Sequence, residues 1–363
     1  MNKWMYVYGQ TLPNQLANSG AVLSLCEGLL NADVQIEVVI PSDSNTDAEI
    51  RCQYDLPDTL HFRPLLFPQR KLSAIRMAFK CAANKETDVF ITRMPVLAVI
   101  LATLRRKTIL ELHHKIDNAR HWKFWRHLLH LVPPQKLLVA SLTQEIQSSL
   151  DTLVLKKSSK VQVIPSAARS FPITSMRDRS YDCGYVGSFL PGKGIEMVYE
   201  IAISMTDTTF VVYGDHTKNP DISKKFRNLP NVKLGGFVDQ AHIGVALNSF
   251  KIGLAPYSEE GFGGKDTPFY SIKWLSSLKV IEYMSAGCAV ISSSIQPIRH
   301  VITHDENGLL CDPNSLSDWI EKIHTLKENP DKLEMIASTA KVTFQNKYTF
   351  EARAGAFKRL ANV

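Results

Sequence analysis

The stretch Leu275–Gly287, LSSLKVIEYMSAG, runs directly into Ala289-Val290-Ile291, and its reading decides the fold. A tight polar loop leads into a helix with Val280, Ile281 and Met284 turned inward, and a buried strand follows at once. Ser276 and Ser277 fall where a hydroxyl can satisfy backbone N–H groups of the first turn. Those N–H groups and the positive end of the helix dipole favour a phosphate. Lys279 stands in the first turn, where dipole balance alone argues against a cation, and Glu282 lies one turn further in. A capped amphipathic helix accounts for the apolar positions equally well; the lysine is what asks for an anion.

Working outward, strand and helix signals alternate along the chain. Trp4–Tyr8 reads as a strand, a polar loop follows to Gly20, then a helix over Ala21–Leu30 and a strand over Val34–Ile40. No GxGxxG is present, so the dinucleotide fingerprint fails. Further strands are expected at Asp88–Thr92, Thr108–Leu112, Leu137–Ala140 and Val161–Ile164, with helices at Val96–Arg105 and Thr143–Leu150. Pro165–Tyr181 lacks periodicity and reads as a linker. Alternation restarts with strands at Asp182–Val186, Phe210–Tyr213, Val232–Leu234 and Ile252–Ala255, and helices at Ile195–Ser204 and Ile243–Asn248. Helices Leu316–Lys327 and Lys332–Phe344 close the second set, and between Ala255 and Leu275 a polar loop of about 18 residues is longer than a compact connection needs. Two sets of βα units argue for two doubly wound α/β domains, and 363 residues are enough for two cores.

Two further stretches carry chemistry. In Tyr185–Gly194, YVGSFLPGKG, a buried strand ends at Gly187 and Lys193 stands at a helix start, where it can reach a phosphate beside unpaired N–H groups. A surface lysine in a turn is the plainer account. Glu111-Leu-His-His114 closes a strand, and strand ends of open α/β sheets are where ligands bind. His113 and His114 point to opposite faces, which weakens a metal reading, and a histidine pair that merely caps the strand fits as well.

In order and spacing these motifs resemble retaining glycosyltransferases of the GT-B fold, family 4 (glycosyl transferases group 1), strongly from Tyr185 to Cys311 and loosely before Pro165. The resemblance implies an α/β, GT-B architecture: two doubly wound parallel-sheet domains facing a central cleft. Residues 1–165 would be the acceptor-side domain and 166–344 the donor-binding domain, with a helix over 345–363 packing back on the first. It implies that Glu282 grips the nucleotide ribose, that Ser276, Ser277, Leu278 and Lys279 hold the diphosphate, and that Gly187, Ser188 and Lys193 form the other half of the clamp. Ser188 stands where the family has an arginine. His113 would lie beside the acceptor and the reacting sugar, with His114 and Gly20 also on the acceptor side. The family's first glutamate falls on Trp274 in one register; in a second, Tyr257 leads into Glu260 and a dozen residues are inserted after Gly263. Catalysis would rest on His113, Lys193 and Glu282, without a metal or cofactor, by same-face attack in which the leaving phosphate takes the acceptor's proton.

The implied reaction moves a sugar from a nucleotide-sugar to a glycan or lipid-linked acceptor, as in envelope polysaccharide or lipopolysaccharide synthesis. A nucleotide-sugar-binding protein without transferase activity is the chief rival, favoured by Ser188 and Trp274. A nucleic-acid-binding role fits poorly, because no stacking aromatics interleave with the basic residues. A GT-B epimerase fits the lysine and glutamate matches less well. Net charge is +7, of which residues 1–165 hold +6, so that half is expected to meet something anionic. Arg120–Val132, RHWKFWRHLLHLV, separates cations from Trp, Phe and Leu at helical spacing. It reads as a helix on the domain's own sheet or as one lying at an anionic membrane surface. The N-terminus goes straight into a strand pattern, with no signal peptide, and six cysteines lack CxxC spacing, so the expectation is a cytoplasmic protein, at the inner face of the plasma membrane if 120–132 binds there.

Overall fold

The computed structural model describes residues 2–14, 17–65, 73–114, 129–133, 135–150, 160–239, 242–264 and 267–362. It divides into two compact units, Met1–Ala167 with Phe350–Val363, and Ala168–Thr349.

In the first unit the apolar runs β1 (Lys3–Val7), β2 (Gln35–Pro41), β4 (Val89–Thr92), β5 (Thr108–Leu112) and β6 (Leu137–Ser141) are buried along nearly their whole length, as strands covered on both faces must be. With β3 (His61–Leu65) and β7 (Lys160–Val163) they form a parallel sheet in the order β3-β2-β1-β4-β5-β6-β7. Helix α1 (Ala17–Asn31) packs on α13 (Phe350–Ala361). Gly28 permits this crossing, since a Cβ there would stand 2.7 Å from the Phe350 carbonyl oxygen. The helix starts four residues before the expected Ala21, so Gly20 lies inside it with open space beside its Cα, and not in a strand-to-helix turn.

In this unit three elements have no counterpart in the sequence reading: α2 (Asp47–Tyr54), β3 and α3 (Ser73–Ala82). β3 is an edge strand, HFRPL, with only Phe62 buried, so it lacks an apolar run. Arg120–Leu128, most of the expected amphipathic helix, lies outside the described residues; Leu129–Leu131 is a 3₁₀ turn with Leu129 buried and Leu131 exposed.

The second unit repeats the plan. Strands β8 (Tyr181–Val186), β9 (Phe210–Tyr213), β10 (Val232–Gly236), β11 (Phe250–Ala255), β14 (Ala289–Ser293) and β15 (Leu309–Cys311) form a parallel sheet ordered β10-β9-β8-β11-β14-β15. The expected polar loop after Ala255 instead contains an antiparallel hairpin, β12 (Gly261–Gly264) and β13 (Thr267–Ser271). The helix expected over 345–363 is broken: α12 (Pro330–Lys347) stops, Tyr348 and Thr349 intervene, and Thr349 bridges Ala168 before α13 begins. In each sheet the strand order reverses once, between β1 and β4 and between β8 and β11. The carboxyl ends at such a reversal are where open α/β sheets take ligands.

Candidate functional site

At the reversal point of the second unit, α9 (Leu278–Ser285) comes down between the ends of β8 and β11. Its Tyr283 hydroxyl donates to the Leu254 carbonyl at 3.2 Å and accepts the Val186 N–H at 2.9 Å, so one side chain ties both strand ends. The C-terminus of α9 is neutralised by cations: Lys341 Nζ donates to Ser285 O at 2.5 Å and Arg179 Nη2 to Ala286 O at 2.7 Å. This complements the negative end of the dipole. The opposite end carries Lys279, second residue of the helix, where the dipole disfavours a cation.

Lys279 is 8% exposed, and its Nζ pairs with no carboxylate among the described residues. It lies 3.9 Å from the centroid of the Tyr185 ring and 5.0 Å from that of Tyr257, and donates to the Lys193 carbonyl at 3.4 Å. The tyrosine faces offset part of the cost of burying the charge. Burial first, then the Lys193 charge, hold the Lys279 ammonium well below the usual lysine range, with Glu282 acting the other way. Lys193 Nζ stands 6.0 Å from the Tyr257 ring, and burial lowers its pKa to about 8. The carboxylate of Glu282, partly buried one turn along α9, makes no hydrogen bond among the described residues. Burial raises it to about 7 against the opposing Lys279 charge.

The loop after β8 is shaped around this group. A side chain at Gly187 would reach the Lys279 ammonium and the Tyr185 hydroxyl, at 3.1 and 3.0 Å. Gly194, at φ +92°, lies so close to the end of β11 that a Cβ would fall 1.8 Å from the Pro256 carbonyl oxygen. The Tyr185 hydroxyl donates to the carbonyls of Ser188 and Lys193 at 2.9 and 3.2 Å and fixes the curl of the loop. Ser188 Oγ accepts the Leu190 N–H at 3.2 Å and brings no charge.

The structure thus gathers Gly187, Ser188, Lys193, Tyr257, Lys279 and Glu282. Ser277 occupies the N-cap position but makes no side-chain cap bond, because its backbone (φ −81°, ψ 59°) is not the extended form that aims a hydroxyl at the helix; the capping role expected of it is corrected. Ser276 accepts the Leu278 N–H through its carbonyl at 2.9 Å. Glu260 is exposed and joined to this group by no contact among the described residues, and Trp274 ends a 3₁₀ turn just before the loop. Tyr185 is what sequence reasoning missed, although it lay within the quoted motif; Tyr257 was among the expected donor-binding residues.

In the first unit the end of β5 carries a different arrangement. Glu111, buried, accepts from Tyr6 Oη (2.7 Å), Arg93 Nε and Nη2 (3.0 and 3.1 Å), Arg353 Nη2 (2.6 Å) and His113 Nε2 (2.8 Å). The guanidinium charges overcome burial and hold Glu111 well below the carboxylate range. His114 is exposed beside it. Elsewhere, a cavity of about 690 Å³ at the amino ends of β1 to β3 is lined by paired charges, Lys3 with Glu86 and Arg63 with Glu37. Among the described residues no three His, Cys, Asp or Glu come together as a metal-binding cluster, and no helix is long and apolar enough to cross a membrane.

The two parallel-sheet units give the chain a GT-B fold. Residues 180–329, which lie within the second unit, match the family described as "Glycosyl transferases group 1". The chain resembles the uncharacterized glycosyltransferase MJ1178 of Methanocaldococcus jannaschii, at 25% identity over 170 residues, 46% of this chain and 44% of that protein. The match thus spans less than half the length of that curated relative. Among solved structures, a glycosyltransferase from Rickettsia africae superposes with a TM-score of 0.71 at 12% identity, over 99% of this chain and 98% of the other. Anabaena Alr3699/HepE, in complex with UDP and glucose, gives 0.69 at 14% identity over the whole of both.

Proposed function

We propose that the chain is a retaining, metal-independent glycosyltransferase of family 4 type that moves a sugar from a nucleotide-sugar to a glycan or lipid-linked acceptor. The observation that carries this reading is buried Lys279 and half-buried Lys193 against the rings of Tyr185 and Tyr257 at the strand reversal of the family-matched unit. Lys279, buried and paired with no carboxylate among the described residues, is a costly charge until an anion arrives. A leaving diphosphate would supply that anion and gain most as its charge grows in the transition state. Glu282, with its carboxylate open to new partners, would take the ribose hydroxyls. Gly187, Ser188, Ser276, Ser277, Leu278 and Tyr257 would line the donor, with Glu260 a further candidate. His113 and His114 would serve the acceptor side. No cofactor enters, and the leaving phosphate receives the acceptor's proton. Because a relative of the same fold binds UDP and glucose, UDP-sugars are the first donors to test. Envelope polysaccharide synthesis at the inner face of the plasma membrane fits a lipid-linked acceptor and the +6 charge of residues 1–165.

The test is a thermal-shift panel of UDP-, GDP- and ADP-sugars, followed by assay of the active donor for transfer and hydrolysis. One nucleotide-sugar is expected to raise Tm by several degrees, with the shift abolished in Lys279→Met. No shift from any nucleotide-sugar would overturn the donor site. A shift with neither hydrolysis nor transfer would make the chain a binding protein, the reading that uncharged Ser188 favours.

A further inference from the structure

The carboxylate of Glu111 is saturated. It receives five hydrogen bonds, three on Oε1 and two on Oε2, from Tyr6 on β1, Arg93 just after β4, His113 just after β5 and Arg353 on α13, 242 residues further along the chain. Arg353 is itself fixed, donating through Nη1 to the carbonyls of Ile164, at 2.8 Å, and Pro165. Two of the four groups are guanidiniums, which do not deprotonate in proteins. A carboxylate between two permanent cations stays ionised and can only accept. The His113 Nε2 atom, 2.8 Å from Oε1, must therefore carry a proton and donate it.

Charge settles the other ring nitrogen. Arg93, Arg353 and Glu111 already leave the buried cluster one unit positive, and a proton on His113 Nδ1 would add a second. Burial, Arg93 and Arg353 all disfavour the imidazolium, against the pull of Glu111, and the His113 pKa is lowered from its ordinary value. His113 keeps 25% of its side chain exposed, and Nδ1 bonds to no described residue.

We propose that Glu111, clamped by Arg93 and by Arg353 of the C-terminal helix, is a positioning residue that locks His113 as the neutral Nε2–H tautomer. Nδ1 then presents a lone pair, and the ligand group that His113 meets is a hydroxyl donor, not a phosphate or carboxylate. Identifying that hydroxyl with a sugar or acceptor rests on the glycosyltransferase reading; the tautomer lock does not. Tautomer choice by a partner on the second ring nitrogen is a general device for assigning a histidine its role.

Selective ¹⁵N-histidine labelling tests this directly, with His113 assigned by loss of its signals in His113→Gln. At pH 7 the long-range ¹H–¹⁵N pattern is expected to show Nε2 protonated and Nδ1 bare, and to hold as pH falls to about 6, where exposed histidines titrate. An Nδ1–H or doubly protonated ring at pH 7 would overturn the lock. In Glu111→Gln the ring is expected to populate both tautomers. If that variant does not fold, Glu111→Asp draws the carboxylate back by one methylene and is expected to loosen the preference in the same direction. An unchanged ring in a folded Glu111 variant would remove its positioning role. Saturating UDP-glucose or inorganic pyrophosphate should leave His113 neutral, and protonation on adding either would mean that it meets an anion. These signals are read without turnover, so they are independent of the Tm panel that tests the donor site.

Discussion

The two units share one strand order and treat charge at its reversal point in opposite ways. In the first, Glu111 is paired with both Arg93 and Arg353 within hydrogen-bond distance, and a neutral histidine is the group left facing out. In the second, Lys279 sits over two tyrosine rings and forms no ion pair among the described residues, while Glu282 is held partly protonated at neutral pH. A satisfied network stabilises the fold and fixes geometry. A buried cation without a counter-charge costs stability and gains affinity for an anion. The same scaffold therefore carries a rigid, pre-set residue in one half and a stored electrostatic demand in the other.

Replacing one buried cation by methionine in each unit is the strongest way to break that contrast. Arg353→Met leaves Glu111 short of a cation and orphans the Ile164 and Pro165 carbonyls, so it should cost about 3–5 kcal/mol of stability. Lys279→Met removes a desolvated charge and fills its space with an apolar chain, so unliganded stability should rise by about 1 kcal/mol or more. Turnover should nevertheless fall roughly 100-fold, as when one transition-state donor is lost. Denaturant titration of both variants checks the signs, and a loss of stability in both would dissolve the distinction between the units.

This contrast was only half legible in the sequence. Lys193, Lys279 and Glu282 were readable because a cation in the first turn of a helix contradicts its dipole, and local rules expose such contradictions. Glu111 was visible only as the neighbour of His113. Arg353 lies 242 residues away on FEARAGAFKRLA, where Ala354, Phe357, Leu360 and Ala361 mark the buried face and Arg353 shares it. A lone arginine on an apolar helical stripe does signal a buried partner, but no spacing rule says which. The strands were legible where both faces are covered. α2 was missed although Thr46 and Glu49 form a reciprocal capping box, Glu49 N–H to Thr46 Oγ1 at 3.4 Å and Thr46 N–H to Glu49 Oε2 at 2.9 Å. The hairpin after Gly261 was read as a loop because its glycines break any alternation.

Smaller effects sharpen the second unit alone. Glu282→Gln should weaken donor binding by about 1–3 kcal/mol, the range for hydrogen bonds to a charged group. Its effect on stability depends on pH. A carboxyl raised to about 7 keeps in the folded state a proton that the unfolded chain loses near 4.5. Wild-type stability therefore falls as pH climbs through that window, and the glutamine variant should lack that slope. Lys193 behaves conversely: with its pKa lowered to about 8, the unliganded fold gains stability as pH rises from about 8 towards 10.5. Pyrophosphate affinity runs the other way, dropping up to about tenfold per pH unit above 8 as the charge is lost. Calorimetry in buffers of different ionisation heat should show proton uptake on binding near pH 8; its absence would mean that Lys193 does not meet the anion.

The smallest expected effect concerns Ser188, where the family resemblance calls for arginine. Its Oγ is engaged by the Leu190 N–H and its carbonyl by the Tyr185 hydroxyl, so the loop already has its shape without a long side chain. Ser188→Arg would add a third cation near Lys193 and Lys279. In the unliganded protein that charge is screened by water but repels both lysines, so Tm should fall slightly. With a diphosphate present it adds attraction at a half-exposed position, worth under about 1 kcal/mol, or a several-fold tighter Kd. The two shifts have opposite signs because Lys193 and Lys279 concentrate positive charge at this loop, which a bound anion relieves. Binding of one nucleotide-sugar, measured with wild type and variant at low and high salt, separates the terms. If Ser188→Arg leaves affinity unchanged at low salt, position 188 does not face the phosphates, and the clamp in this chain consists of the two lysines and the backbone of their loops.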